Sequence, residues 1–304
     1  MGFDTTDCVL SGSALTEPFL RDEFLFVAQR LGASLDTPLG ADPGPSGDTA
    51  LTAVWSAYRR RLLALGRTGG MLRVHRHVIA PLAAALGYAE PARQPDVATR
   101  EGLEDGGWLM HATDGGHLRA WSVPAEAGLD APTRSGRAYR NSPTRVALRV
   151  LLASGERAGL LTDGDVLRLL ISDPVHPDSH ITIPLSGGDG WRNQDSPPGS
   201  FHLLRALAGA RSLTLLPRVL DAARLHQTRV TSELRTQARD GLEGFLGAVL
   251  AQPGNAGVSE RPDVAATLWE DGLVLVHRLL FILKLESSTD PARAFSFAST
   301  TPWR

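Results

Sequence analysis

The chain has one cysteine and one lysine. Cys8 stands alone among 304 residues, so no disulfide closes within the chain and no cysteine-based zinc cluster can form. That pattern suits a reducing cytoplasm. Of the 31 Lys and Arg side chains only Lys284 is lysine, so chemistry that needs a lysine has one place to find it. Long apolar runs are missing too. The N-terminal MGFDTTDCVLSG carries two acids and no apolar core, unlike a signal peptide. The most apolar segment, Leu273 to Leu285, is interrupted by His277, Arg278 and Lys284, and it falls short of the roughly 20 residues a membrane span needs. A formal net charge of −2 leaves no global field to draw in nucleic acid, so any such surface must be local. No Gly-Lys-[Ser/Thr] phosphate loop and no Gly-x-Ser-x-Gly element occurs.

The composition that remains is globular, 42% hydrophobic and 21% charged. Helical spacing runs over Thr16–Leu31 through Leu20, Phe24, Val27 and Leu31. It runs again over Thr49–Leu65 through Leu51, Val54, Trp55, Tyr58 and Leu62, with Arg59–Arg61 at the solvent edge. A third helix, Val74–Leu86, ends at Gly87 and should kink or restart at Pro81. The pattern then becomes β-like. Gly106–Val123 reads as a hairpin around Asp114-Gly115-Gly116. Ser142-Pro143 opens a helix that stops near Gly155. Ala158–Leu161 and Val166–Ile171 flank Thr162-Asp163-Gly164-Asp165, a second hairpin, and Ile181–Leu185 is another short strand. From Phe201 the pattern is helical, in Pro217–Val249 and Val264–Glu286. The reading is an α/β (α+β) domain over 1–200 followed by an all-helical spacer over 201–304.

Three constellations invite a catalytic reading. A hairpin with Asp114, acids at Glu126 and Asp130, a helix and a second hairpin outline a PD-(D/E)xK-type nuclease, which would use Mg²⁺. That chemistry also needs an acid–x–Lys element on the strand after Asp114. The strand Leu118-Arg119-Ala120-Trp121-Ser122-Val123 has neither acid nor lysine, so the expected domain is a degenerate, nuclease-like scaffold. Ser196-Pro197-Pro198-Gly199 approximates the Pro-Pro element of adenine-N6 methyltransferases but lacks the aromatic that would stack on a flipped base. His176 and His180, with Asp173 and Asp178, could hold a metal or move a proton, against the plainer reading of a self-bonded turn. His75 and His77 lie two apart on a helix and do not share a face. No metal site is expected.

The local basic density is greatest in TRSGRAYRNSPTRVALR, Thr133–Arg149. It offers Arg134, Arg137, Arg140, Arg145 and Arg149, with Tyr139 among them and no acid, beside a helix N-terminus. These are the candidate DNA-backbone contacts. The plain alternative is a set of ion pairs with acids elsewhere.

VIAPLAAALGY (Val78–Tyr88), GLLTDGDVLRLL (Gly159–Leu170) and LWEDGLVLVHRLLFILKLES (Leu268–Ser287) occur in that order. Together they resemble the N-terminal region of large single-chain bacterial adenine-N6 DNA methyltransferases of restriction–modification and DISARM-like phage-defence systems. The resemblance implies a nuclease-like α/β domain, then a helical spacer, then the methyltransferase domain. Arg304 falls just past the spacer, so the chain reads as a fragment truncated before that domain. S-adenosylmethionine would belong to the missing part. The expected function is a non-catalytic, cytoplasmic module that touches DNA and docks a methyltransferase domain or subunit, with no membrane partner. The alternatives are a residual Mg²⁺-dependent nuclease, and a pure interaction domain that an exposed apolar stripe on Leu273–Leu285 would favour.

Overall fold

The computed structural model describes residues 5–31, 45–66, 70–113, 115–125, 128–132, 141–176, 178–255, 257–258 and 261–286. The chain divides into two compact units, Met1–His226 and Gln227–Arg304. The sequence reading set its division at residue 200. The helix α7 (Gly199–Ala208) belongs to the first unit because Phe201, Leu203, Leu204 and Leu207 are buried in its core.

The first unit is mixed α/β. Its sheet runs β1 (Val9–Ser11), β9 (Ser179–Pro184), β8 (Val166–Ile171), β7 (Ala158–Thr162), β6 (His117–Ser122), β5 (Trp108–His111) and β2 (Ala92–Arg93). Every neighbouring pair is antiparallel except β6–β7, which is parallel with Arg119 beside Gly159 and Ser122 beside Thr162. A parallel pair needs a crossover, and α6 (Pro143–Ser154) supplies it. Its ends are set by sequence. The Ser142 hydroxyl accepts from the Arg145 N–H (3.4 Å), Pro143 fills the first helical position, and Gly155 takes the left-handed conformation at φ +69°. β3 (Val97–Thr99) and β4 (Gly102–Glu104) form a separate ribbon.

The sheet is covered unequally. One face carries Leu118, Ala120, Leu160, Leu167, Leu169, Ile181 and Ile183 into a large core with α3 (Pro45–Leu63), α5 (Ala80–Ala85) and α7. At its centre the rings of Trp55, Tyr58, Trp191 and Phe201 pack with centroids 5.0–6.4 Å apart. The other face has a smaller core, Trp121, Leu161 and Leu170 under Ala147, Leu148 and Leu151 of α6. Gly159 leaves room for that helix, since a Cβ would stand 3.0 Å from Leu151 and from Trp121.

Two expected helices are modified. Thr16–Leu31 is interrupted at Glu23, giving α1 (Glu17–Asp22) and α2 (Phe24–Arg30). The helix around Pro81 is not kinked by breaking. α4 (Met71–Val74) passes through a π-helical turn, His75–Ile79, into α5, and the Ala80 N–H reaches back to the His75 carbonyl. The wider turn lies immediately ahead of a proline that has no N–H to give.

The second unit holds most of α8 (Leu216–Leu250) and all of α9 (Pro262–Glu286). Among its described residues Leu242 is the one large apolar side chain that is fully buried. It lies against Gly272, where a Cβ would collide with it. Among the described residues no helix is long and apolar enough to cross a membrane.

The hairpin turn of β7–β8 bonds to itself. Asp163 Oδ1 accepts from the N–H groups of Asp165 (3.0 Å) and Val166 (2.9 Å). The Thr162 hydroxyl donates to the Val166 carbonyl (2.7 Å) and accepts from the Gly164 N–H (3.0 Å). Arg192 donates to the Gly164 carbonyl (2.8 Å). Gly164 has φ +93°, and a Cβ there would stand 2.7 Å from Leu65. Gly164→Ala should therefore cost about 1–3 kcal/mol in urea unfolding, through backbone strain and the collision.

Candidate nucleic-acid interface

The acids of the nuclease outline do not assemble. Asp114 and Glu126 lie outside the described residues. Asp130 is held by Arg168 on β8, whose two terminal nitrogens meet its two oxygens at 2.6 and 2.5 Å. The same guanidinium donates to the Thr144 hydroxyl (2.7 Å). That pair holds the Asp130 carboxyl below its ordinary range, so Asp130 acts as a neutralising partner for a buried arginine. The strand where an acid–x–Lys pair would sit is β6. Its Arg119 forks onto Glu156, Nε to Oε2 at 2.9 Å and Nη2 to Oε1 at 2.6 Å, and both side chains are buried. Among the described residues no three His, Cys, Asp or Glu side chains converge to hold a cation.

The Asp173–His180 stretch also spreads apart. Asp173 accepts from the Val175 N–H (2.8 Å) and from Arg224 (2.9 Å). His176 Nδ1 shares a hydrogen bond with the Ser13 hydroxyl (2.7 Å). Burial and the nearby Arg168 hold His180 below the usual histidine range. These contacts close a turn and anchor the start of the chain to β9.

The proposed DNA contacts fare differently from one another. Arg134, Arg137, Tyr139 and Arg140 lie outside the described residues. Arg145 is exposed on the first turn of α6. Arg149, one helical turn further on, is not available as a phosphate contact. It pairs with Glu101 and, at 3.2 Å, with Glu104, the carboxylates of the β3–β4 ribbon. The reason is packing: the ribbon lies against α6 and brings both acids to one guanidinium.

A second basic surface was passed over in the sequence, where Arg59–Arg61 read only as a solvent edge. Arg60 and Arg61 are exposed in the last turn of α3. Leu72, Arg73, Arg76 and His77 line a groove on α4 and the π-helical turn. His77 Nδ1 lies 3.1 Å from the Arg61 carbonyl, which ties the two helices together. His75 faces elsewhere, stacked on Trp108 with ring centroids 3.7 Å apart. Arg59 is engaged by Asp195 (2.9 Å) and by the Arg192 carbonyl (3.0 Å). The missed signal was an absence: no Asp or Glu occurs from residue 49 to residue 89.

Asp130 and Asp173 both have depressed carboxyl pKa values in the folded state. The stability they contribute is present above the unfolded value of about 4 and is lost as pH falls through their lower folded values. Urea midpoints measured from about pH 5 down to pH 2 should fall, and Asp130→Asn should flatten part of that fall. An unchanged profile in the variant would remove the Arg168 pair from the account.

No family model, no curated protein and no solved structure matches this chain.

Proposed function

We propose that the chain is a non-catalytic module of a DNA-modifying enzyme of the restriction–modification or phage-defence kind. In this reading it docks a methyltransferase domain through α9 and contributes DNA-backbone contact from its α/β unit. The observation that carries it is the surface of α9. Leu273, Val274, Leu275, Leu279, Leu280, Phe281, Ile282 and Leu283 are all exposed, on every side of the helix that Gly272 and Leu242 leave free. A helix apolar nearly all round is a buried helix in its working state. Leu273, Val274, His277, Arg278, Phe281 and Ile282 line one shallow, almost wholly apolar groove along it.

The nuclease-like part of the reading is supported by the order of elements. The β5–β6 hairpin, α6 and the β7–β8 hairpin follow in the order of the outline read from the sequence. The absence of catalysis is supported by Arg119 and Arg168, which take up Glu156 and Asp130. Among the described residues no group of acids converges to support the residual nuclease.

Docking is tested with a purified adenine-N6 methyltransferase domain from the same genome. Size-exclusion co-elution and methylation of a duplex are read with and without this chain. The expected result is a complex, weakened at least about tenfold by Leu279→Asp with Phe281→Asp while the thermal melt of the α/β unit is unchanged. A wild-type chain that neither co-elutes nor alters methylation removes the reading.

A further inference from the structure

We infer that the groove on α4 and the π-helical turn, beside the end of α3, is a binding site for the phosphodiester backbone of duplex DNA. Arg73 and Arg76 line it, and the His77 contact brings Arg61 beside it. The site deepens the DNA-contacting half of the proposed function and does not depend on docking by α9.

Residues 49–89 contain six arginines and no acid, a local charge of +6 in a chain whose formal total is −2, so the remainder carries −8. Several arginines elsewhere in the first unit are answered by acids: Arg93 by Asp105, Arg119 by Glu156, Arg149 by Glu104, Arg168 by Asp130 and Arg224 by Asp173. Among the described residues no carboxylate pairs with Arg61, Arg73 or Arg76. Uncompensated guanidinium groups gathered on one face are a cost to folding through mutual repulsion. A polyanion relieves that repulsion and gains fork-shaped, charge-assisted hydrogen bonds.

The arginines stand on a rigid base, since Leu62, Leu65, Val74, Val78 and Ile79 beneath them are fully buried. The His77–Arg61 contact fixes the two helices to each other, and the Ser122 hydroxyl of β6 donates to the Met71 carbonyl (3.1 Å), fixing α4 to the sheet. The π-helical turn advances the helix register by one residue, and it does so at the positions that present Arg76 and His77 to the groove. Among the described residues the groove is partly open to solvent, which suits a chain of phosphates better than a single small anion.

Residues 49–89 contain no Asn and no Gln, the side chains that read adenine, and no acid to accept from cytosine. Arginine forked onto guanine is the base contact left, and comparing two unrelated duplex sequences separates it from a backbone contact that only positions the DNA.

The test is fluorescence anisotropy of the full chain with a labelled duplex of about 20 base pairs, at about 50 and 200 mM salt. Wild type is compared with Arg61→Glu/Arg73→Glu/Arg76→Glu, with the milder Arg61→Gln/Arg73→Gln/Arg76→Gln, and with Arg145→Glu on the other basic surface. Thermal melts establish that each variant folds. The expected result is binding that does not distinguish two unrelated duplex sequences. The charge-reversed variant should bind at least about tenfold more weakly, and the Gln variant should shift affinity in the same direction. The slope of log K against log salt should become shallower by about 2–3. Wild-type affinity in the Gln variant, or loss of binding through Arg145→Glu alone, overturns the assignment to this groove. Binding to anionic phospholipid vesicles that the triple variant loses, with duplex binding intact, assigns the surface to lipid and overturns it as well. A wild-type chain that binds no duplex at either salt rejects the site while leaving α9 docking to its own experiment.

Discussion

The parallel pairing of β6 with β7 is the constraint around which the first unit is arranged. Antiparallel neighbours can be joined by a tight turn, as β5–β6 and β7–β8 are. A parallel pair obliges the chain to leave the sheet, cross one face and return. α6 is that crossing, and much of the thin face follows from it. Gly159 is small so that α6 can come close. Arg149 projects from α6 toward the β3–β4 ribbon and draws Glu101 and Glu104 to it. Thr144, on the first turn, shares Arg168 with Asp130.

That face also decides how its charges are read. One helix and a two-stranded ribbon cannot cover a seven-stranded sheet with apolar side chains alone. Arginines on β6 and β8 therefore point into a half-covered layer and need carboxylates to stay there. Asp130 and Asp173, which look catalytic in a linear sequence, are engaged as counter-ions. The opposite, thick face has its aromatic cluster and little buried charge, and the uncompensated arginines lie at its rim on α3 and α4.

Legibility in the sequence followed the strength of local punctuation. α6 was legible because Ser142-Pro143 and Gly155 mark its ends, and both hairpins because Asp-Gly marks their turns. The Thr162–Asp165 turn was legible as scaffold for the same reason. β1, β2 and the β3–β4 ribbon were not, since two or three residues carry no period to detect. The break at Glu23 has no Gly or Pro to announce it. The partners of Arg119, Arg149 and Arg168 were hidden because each acid lies far along the chain and is chosen by tertiary packing. The basic groove was readable as an acid-free stretch, but its residues were divided among two helices and judged one helix at a time.

The start of the chain is fastened late. Asp7 accepts from the N–H (3.0 Å) and the hydroxyl (2.5 Å) of Ser200 at the beginning of α7, and that hydroxyl accepts from the Trp191 indole (2.7 Å). β1 pairs only with β9, and the Ala14 N–H donates to the Ser179 hydroxyl (3.1 Å). During synthesis these first residues leave the ribosome with no partner yet made, and they wait for most of the first unit to follow. Contacts of such long sequence separation slow folding, because a large loop must close before they give any return. The Asp7–Ser200 and Ala14–Ser179 contacts, 193 and 165 residues apart along the chain, are contacts of that kind.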